Sequence, residues 1–410
     1  MSNITVSEQV TKCVISGDPV TKILDFGQHA YADTFIAEDQ FNLSEPVFPL
    51  QLYMNPESGS IQLGYMSNAE ERYNLYSYSY TSSNSKTARD HWDEYAKWAA
   101  EKFPFCKGLA VEIGSNDGYL IKQFNGRFER TLGIDSSSAM CELAKAEGVT
   151  AVQGLFSQDT AEQIVQQYGK ADLVMANNVF NHANDPVNFA RGVADILSDC
   201  GVFVFEVPSW SEMVSSGRFV DMVYHEHPSY FTVKSVCNLL AQAGMIVTDV
   251  EIVNYHGGSL RVTAVKGTQT HVLDHVQKFI DKEIADGLFD LNFYKSLQEK
   301  FELLKIEWLT KFYKLLNEDP QAVVIGVGAA AKANTWLTWH GLNNTVIKYV
   351  TDSSQFKQGK YTPLSRIPIR GDEIFAEYER PYALVLSWNI GEGLKKAILS
   401  INPNTRFISQ

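Results

Sequence analysis

Apolar and polar positions alternate in three different textures along the chain. Up to about residue 85 the apolar runs are short (Lys22–Phe26, Gln51–Met54, Ser60–Leu63) and broken by Gly, Pro or Asn. That punctuation predicts a small irregular β domain. It closes on the segment 73–80, with tyrosines at 73, 76, 78 and 80. From about residue 86 a helical stretch, His91–Phe103, leads into strand-length apolar runs separated by amphipathic segments. The runs are Leu109–Ile113, Thr131–Ile134, Ala151–Gln153, Ala171–Ala176, Gly201–Val207, Ile246–Val253 and Leu260–Val265. Strands alternating with helices indicate βαβ units and a mostly parallel sheet.

Residues 269–318 carry helical spacing, with His275, Phe279, Ile284 and Phe289, then Leu297, Phe301, Leu304, Trp308 and Phe312. Pro320 ends that stretch, because proline and the residue before it resist helix. A second α/β unit follows: strand Ala322–Ile325, a glycine-rich turn to Lys332, a helix, and strand Ile347–Thr351 ending at Asp352. Later strands are expected at Tyr382–Ser387 and Arg406–Ile408. The expected division is therefore 1–85, 86–268, a helical connector 269–318, and 319–410.

Composition narrows the partners more than the fold. The 410 residues are too many for one compact core, and 45% apolar with 20% charged is ordinary globular usage. A formal charge of −13 disfavours a phosphate backbone, so no nucleic-acid partner is expected. No apolar run is long enough to span a membrane, and the polar first residues suggest no targeting segment. A cytoplasmic protein without a membrane partner is expected. The five cysteines form no C-x-x-C pair, which leaves a disulfide framework without support.

The first chemically informative turn is Glu112-Ile-Gly114-Ser-Asn116-Asp117-Gly118, placed between strand and helix. Gly114 and Gly118 allow a sharp turn and a close approach to a ligand. Asp135 ends the next strand, where nucleotide-binding α/β folds use an acid to hold ribose hydroxyls. Glu112 and Asp117 would repel a pyrophosphate but suit a sulfonium and an ammonium, which points to S-adenosylmethionine instead of NAD. Phe156, after the third strand, is placed to stack on adenine or to fill the core. Asn177 and Asn178 end the fourth strand at the ligand edge of the sheet, and His182 lies just beyond.

The densest chemistry is Tyr224-His225-Glu226-His227. A metal site would need further ligands that no nearby cysteine or H-E-x-x-H helix supplies. Acid–base work suits it better, since histidine titrates near neutrality and Glu226 could set a tautomer. A hydrogen-bonded polar loop would carry the same residues.

In order and over nearly the whole chain, the sequence resembles the sugar C-methyltransferase family, which methylates nucleotide-linked 4-keto-deoxyhexoses. The segments that carry the resemblance are Val111–Leu120, Gly133–Asp135, Asn178–His182, Phe205–Pro208, Tyr224–His227, His256–Arg261 and Gly328–Lys332, with Tyr78–Ser83 and Asp352–Gly359 also similar. The resemblance implies an α/β protein: a class I methyltransferase Rossmann-like central domain, a small irregular β domain of zinc-binding type before it, and a Rossmann-like C-terminal domain holding a nucleotide sugar. It also implies that His227 is the base, with Tyr224, Glu226, His182 and His225 around it. Donor binding falls to Glu112, Gly114, Asn116, Asp117, Gly118, Asp135, Phe156, Asn177 and Asn178. Substrate binding falls to Tyr78, Tyr80, His256, Arg261, Lys332, Asn334, Asp352, Lys357 and Asn389.

Two departures matter. The family's paired cysteines are represented here by Cys13, Ser16, Asn55 and Ser58, so zinc is not expected. The family usually has an aromatic where Val327 stands. Three other readings stay open on the residues alone: an O- or N-methyltransferase, an NAD-dependent oxidoreductase built on the turn 326–332, and a non-catalytic sugar-nucleotide-binding protein.

Overall fold

The computed structural model describes residues 9–69, 81, 83, 85–217, 220–268 and 271–408. Tyr78 and Tyr80 lie outside the described residues. Three sheets organise the chain. The first is antiparallel, ordered β1 (Thr21–His29), β2 (Phe48–Asn55), β3 (Ser60–Leu63) and β9 (Ser229–Tyr230). Its last strand comes from far along the chain, directly after the Tyr-His-Glu-His segment.

The second sheet has β4 (Leu109–Ile113), β5 (Arg130–Asp135), β6 (Ala151–Gln153), β7 (Ala171–Met175), β8 (Leu197–Pro208), β10 (Met245–Val253) and β11 (Ser259–Lys266). Their spatial order is β10-β11-β8-β7-β4-β5-β6. β11 runs antiparallel to both neighbours, and the remaining pairs are parallel. β4 is buried along its whole length, which accounts for its unbroken apolar pattern with one acid in it. Helices of amphipathic pattern cover both faces. The helix Lys86–Lys102 begins where the Ser85 hydroxyl accepts the Ala88 N–H, and it buries Trp92, Tyr95, Ala96 and Ala99.

The third sheet is parallel, with β12 (Val324–Val327), β13 (Tyr349–Thr351), β14 (Ile369–Arg370), β15 (Tyr382–Val385) and β16 (Arg406–Ile408) in the order β14-β13-β12-β15-β16. The helical stretch before it divides at Gly287 (φ 79°) into Asp274–Ala285 and Leu291–Glu318. The longer helix serves two cores: Tyr294, Leu297 and Phe301 pack under the first sheet, and Phe312 packs under the third. The first core also takes Trp210, Met213, Val220, Met222 and Val223 from the middle of the chain. The segment that leads into Tyr224 is thus built into the N-terminal core.

Candidate active site

The β4 turn is shaped by what surrounds it. Gly114 has φ +70°, and a Cβ there would stand 2.1 Å from Val179 Cγ2. Gly118 has φ +79°, and a Cβ there would press on Ala144 and Val149 at 3.0 Å. Protein packing therefore requires both glycines, independently of any ligand. The Asn116 N–H donates to Asp135 Oδ2 at 2.8 Å and the Ser137 N–H to Oδ1 at 2.8 Å, tying the turn to the end of β5. Glu112 Oε2 accepts the Ile121 N–H at 2.9 Å. Asp117 Oδ2 accepts both the N–H and the hydroxyl of Ser83, at 3.1 and 2.5 Å, which brings the end of the tyrosine-rich segment to the turn.

Burial pushes the Glu112 carboxyl well above its ordinary value; the Ile121 N–H opposes that, and Asp117 and Asp135 add to it. Burial also raises Asp135, against the N–H donors of Ser137 and Asn116. No lysine or arginine compensates Glu112 or Asp135 among the described residues. A cationic ligand would relieve this crowding. Two buried polar atoms nearby, Ser115 Oγ and Asn177 Nδ2, have no hydrogen-bond partner among the described residues. This environment fits S-adenosylmethionine. Asn177 Oδ1 accepts the Glu206 N–H at 2.9 Å, and Asn178 (φ 54°) donates its N–H to Glu206 O at 2.7 Å. Phe156 instead packs edge-on against Phe189 at 4.9 Å within the main core.

Past β7, His182 ends the short turn Phe180–His182, and its ring meets His227 edge-on at 4.7 Å between centroids. Tyr224 Oη and His227 Nε2 are 2.8 Å apart, with the rings 4.0 Å apart. The Tyr230 hydroxyl on β9 accepts the Tyr224 N–H at 3.2 Å, so the first sheet holds the motif's leading residue. The other two motif residues face the N-terminal segment: His225 Nε2 is 3.4 Å from Pro49 O, and Glu226 Oε1 accepts the Asp33 N–H at 3.1 Å. The His227 N–H donates to Tyr224 O at 3.0 Å, so 224–227 form a turn that brings its first and last residues together and carries His225 and Glu226 at its corner. The structure therefore gathers His182, Tyr224 and His227, whereas Glu226 accepts from Asp33.

The third sheet repeats the design with a different charge. Asp352 Oδ2 accepts the Ala329 N–H at 3.0 Å, as Asp135 accepts that of Asn116. Here Lys357 Nζ lies 3.5 Å from the carboxylate and donates to Ala329 O at 2.8 Å. Lys332 is buried with no ion pair or hydrogen bond among the described residues. Burial lowers its ammonium from the ordinary value, and Asp221 partly restores it. Burial and then Lys332 and His91 hold His256 well below the usual histidine range, and its Nδ1 has no hydrogen-bond partner among the described residues. Asn389 is exposed on the turn Trp388–Ile390. Asn334 instead joins domains, donating from Nδ2 to Ala32 O at 2.5 Å.

Arg261, expected on the substrate, is turned inward. Its Nε and Nη2 lie 2.7 and 2.6 Å from Glu206 Oε1, and His91 Nε2 lies 2.7 Å from Oε2. The guanidinium is 4.3 Å from the Trp98 ring centroid. A fully buried carboxylate needs such partners, so Arg261 pairs inside the protein. Glu206, His91, Asp221, Trp388 and Ser115 are residues the sequence reading missed. Glu206 left one trace, a charge inside an otherwise apolar strand run.

The positions implied for zinc do meet in space. Cys13 Sγ lies 3.2 Å from Ser58 Oγ and accepts the N–H groups of Ile15 and Ser16 at 3.4 Å. The Ser58 N–H donates to Asn55 Oδ1 at 2.8 Å. Burial pushes the Cys13 thiol up, but the donors of Ser58, Ser16 and Ile15 outweigh it and leave the thiol below its ordinary value. One thiol among neutral hydroxyl and amide groups does not fit a structural zinc. No group of three or more His, Cys, Asp or Glu suited to a metal occurs among the described residues.

Residues 254–409 match the family described as C-methyltransferase C-terminal domain, and residues 93–250 match the methyltransferase domain family. The C-methyltransferase NovU of Streptomyces niveus is 28% identical over 383 residues, covering 93% of this chain and 90% of that one. The chain is an S-adenosylmethionine-dependent methyltransferase. Part of this methyltransferase is also similar to a ubiquinone biosynthesis O-methyltransferase of Aeromonas salmonicida, 25% identical over 38% of this chain and 71% of the relative. Among solved structures, an S-adenosylmethionine-dependent methyltransferase from Clostridium acetobutylicum covers 43% of this chain and 92% of its own, at 13% identity and a TM-score of 0.35. No helix among the described residues is long and apolar enough to cross a membrane.

Proposed function

We propose that this methyltransferase acts on a nucleotide-linked 4-keto-deoxyhexose and methylates the carbon beside the ketone, C3. The observation that carries the reading is the Tyr224–His227 pair, with His182 against it on the turn that leaves the donor edge. A carbon next to a ketone is acidic because its electron pair delocalises onto oxygen, so the enzyme needs a base and an oxygen donor side by side. His227 is that base. In the free protein the Tyr224 hydroxyl donates to His227 Nε2. With substrate bound, the hydroxyl turns to the ketone oxygen and Nε2 takes the α proton. His182 supports the developing negative charge on that oxygen. S-adenosylmethionine, held by the acidic β4 turn, supplies the electrophilic methyl group. The protein's remaining work is to align the reactants and exclude water.

Lys332 supports the nucleotide part of the reading. A buried ammonium without a bonded partner is costly, and a diphosphate is the anion that would satisfy it. Asp352 and Asn389 complete the edge for the nucleoside, and His256 lies within the field of Lys332. The domains at 1–85, 86–268 and 319–410 then take the roles of support, donor binding and nucleotide binding.

The test is turnover of a panel of nucleotide-linked 4-keto-deoxyhexoses, with the product carbon assigned by NMR. A new carbon–methyl bond beside the ketone supports the reading. A methyl on oxygen or nitrogen, or transfer only to ketones lacking a nucleotide, overturns it.

A further inference from the structure

Lys332 is held in a bracket whose far end is the catalytic segment. Its ammonium stands 6.0 Å from the Trp388 ring centroid. Trp388 follows β15 at the edge of the third sheet, and its neighbour Ser387 closes on the second glycine-rich turn: a Cβ at Gly328 would meet Ser387 Oγ at 2.2 Å. On its other side the indole leaves the third sheet. Nε1–H donates to Asp221 Oδ2 at 2.5 Å, and the ring lies so close to Gly257 that a Cβ there would stand 2.5 Å from Cη2. Asp221 is buried in the turn Val220–Met222, just before Tyr224. One side chain therefore joins the turn that would seat a nucleotide to the segment that carries the base.

We propose that Trp388 and Asp221 are positioning residues, through which a nucleoside diphosphate at Lys332 sets the Tyr224–His227 pair for proton abstraction. This rests on the nucleotide-sugar reading above. The physical basis is competition for charge. With the anion site empty, Asp221 acts on the Lys332 ammonium while it accepts the indole N–H. A diphosphate satisfies the ammonium, and less of the Asp221 charge is then drawn toward Lys332 and more is available to the indole. A charge-assisted hydrogen bond in a dry site tightens under that change. The segment 220–227 is thereby fixed when the nucleotide is seated.

The experiment uses the full chain and two variants. Trp388→Phe keeps a ring against Gly257 and removes the N–H; Asp221→Asn keeps an acceptor and removes the charge. Binding of thymidine and uridine diphosphates and of S-adenosylhomocysteine is measured by calorimetry. Amide exchange over 220–227 is followed with and without the diphosphate that binds. In the native chain the diphosphate should slow exchange in this segment. Trp388→Phe should bind the diphosphate and S-adenosylhomocysteine within about threefold of the native protein yet lose that protection, with kcat down about tenfold or more and KM little changed. Asp221→Asn should fall between the two. Native-like protection in Trp388→Phe, or a raised KM with kcat unchanged, would overturn the coupling. Failure of both diphosphates to bind the native chain would overturn the nucleotide reading and the coupling together, whereas binding without protection would overturn the coupling alone.

Discussion

If His227 is the base, the Tyr224 hydroxyl donates to its Nε2, and that nitrogen cannot accept the tyrosine's proton and the substrate's at once. Removing the base should therefore cost more than removing the hydroxyl. His227→Asn keeps the size of the side chain and some hydrogen bonding, and should lower kcat by about 10²–10⁴-fold. S-adenosylhomocysteine affinity should stay within about threefold of the native value, since the donor turn is built from other residues. Tyr224→Phe removes the oxygen donor and should cost about 10²–10³-fold, as loss of one such donor does elsewhere. Steady-state kinetics with a donor-binding control separates these outcomes. Full activity in His227→Asn would remove the base from the account. At this scale the sequence exposed the candidate residues but not their facing. His225 and Glu226 share the motif with His227 and yet serve Pro49 and Asp33. The turn closed by the His227 N–H on Tyr224 O makes that split, and β9, pairing with β3 from far away in sequence, anchors it.

Among the elements, the β4 turn is held to its shape by packing. Gly114→Ala places a Cβ in the left-handed region and into Val179. The change should cost about 2–4 kcal/mol of stability by combining backbone strain with overpacking. Adding Val179→Ala should recover the packing share and leave the strain, which denaturant midpoints of the single and double variants would show. Stability unchanged by Gly114→Ala would mean that the turn is not held as described. Most central strands were legible because buried parallel strands read as apolar runs. The two-residue strands β9 and β14 were not, since pattern needs length and these form only through their neighbours. Arg261 was misread for a related reason. Its partner Glu206 lies on another strand, 55 positions away, and no local spacing announces such a pair. The network at Trp388 and Asp221 was hidden in the same way.

Across the whole molecule, the long helix Leu291–Glu318 carries a pH-sensitive junction between the first and third cores. His29 Nε2 donates to Phe26 O and His340 Nδ1 to Trp336 O, both under the field of Lys305. Burial pushes each imidazole down to about 4 from an ordinary 6.5. Both therefore stay neutral in the folded protein while the unfolded chain takes up protons as pH falls below 6.5. Their contribution is intact above that value and is lost toward pH 4, at about 1.4 kcal/mol per pH unit for each. Glu283, pushed up to about 7 by burial, works oppositely and gains stability as pH falls through that range. The comparison that isolates the histidines is the native chain against His29→Gln with His340→Gln. The variant's unfolding free energy should fall less steeply between about pH 6 and pH 4.5, by up to about 2.7 kcal/mol per unit. Equal slopes would show that these rings are already protonated or exposed.

The proposed function turns on one step, removal of the α proton by His227 before methyl transfer. The direct measurement is mass spectrometry of a nucleotide-linked 4-keto-deoxyhexose incubated with the protein in D2O without methyl donor. The native enzyme should place one solvent deuterium at the carbon beside the ketone, and His227→Asn should not. Methyl transfer by the native enzyme with no such exchange, or equal exchange in both proteins, would contradict the account.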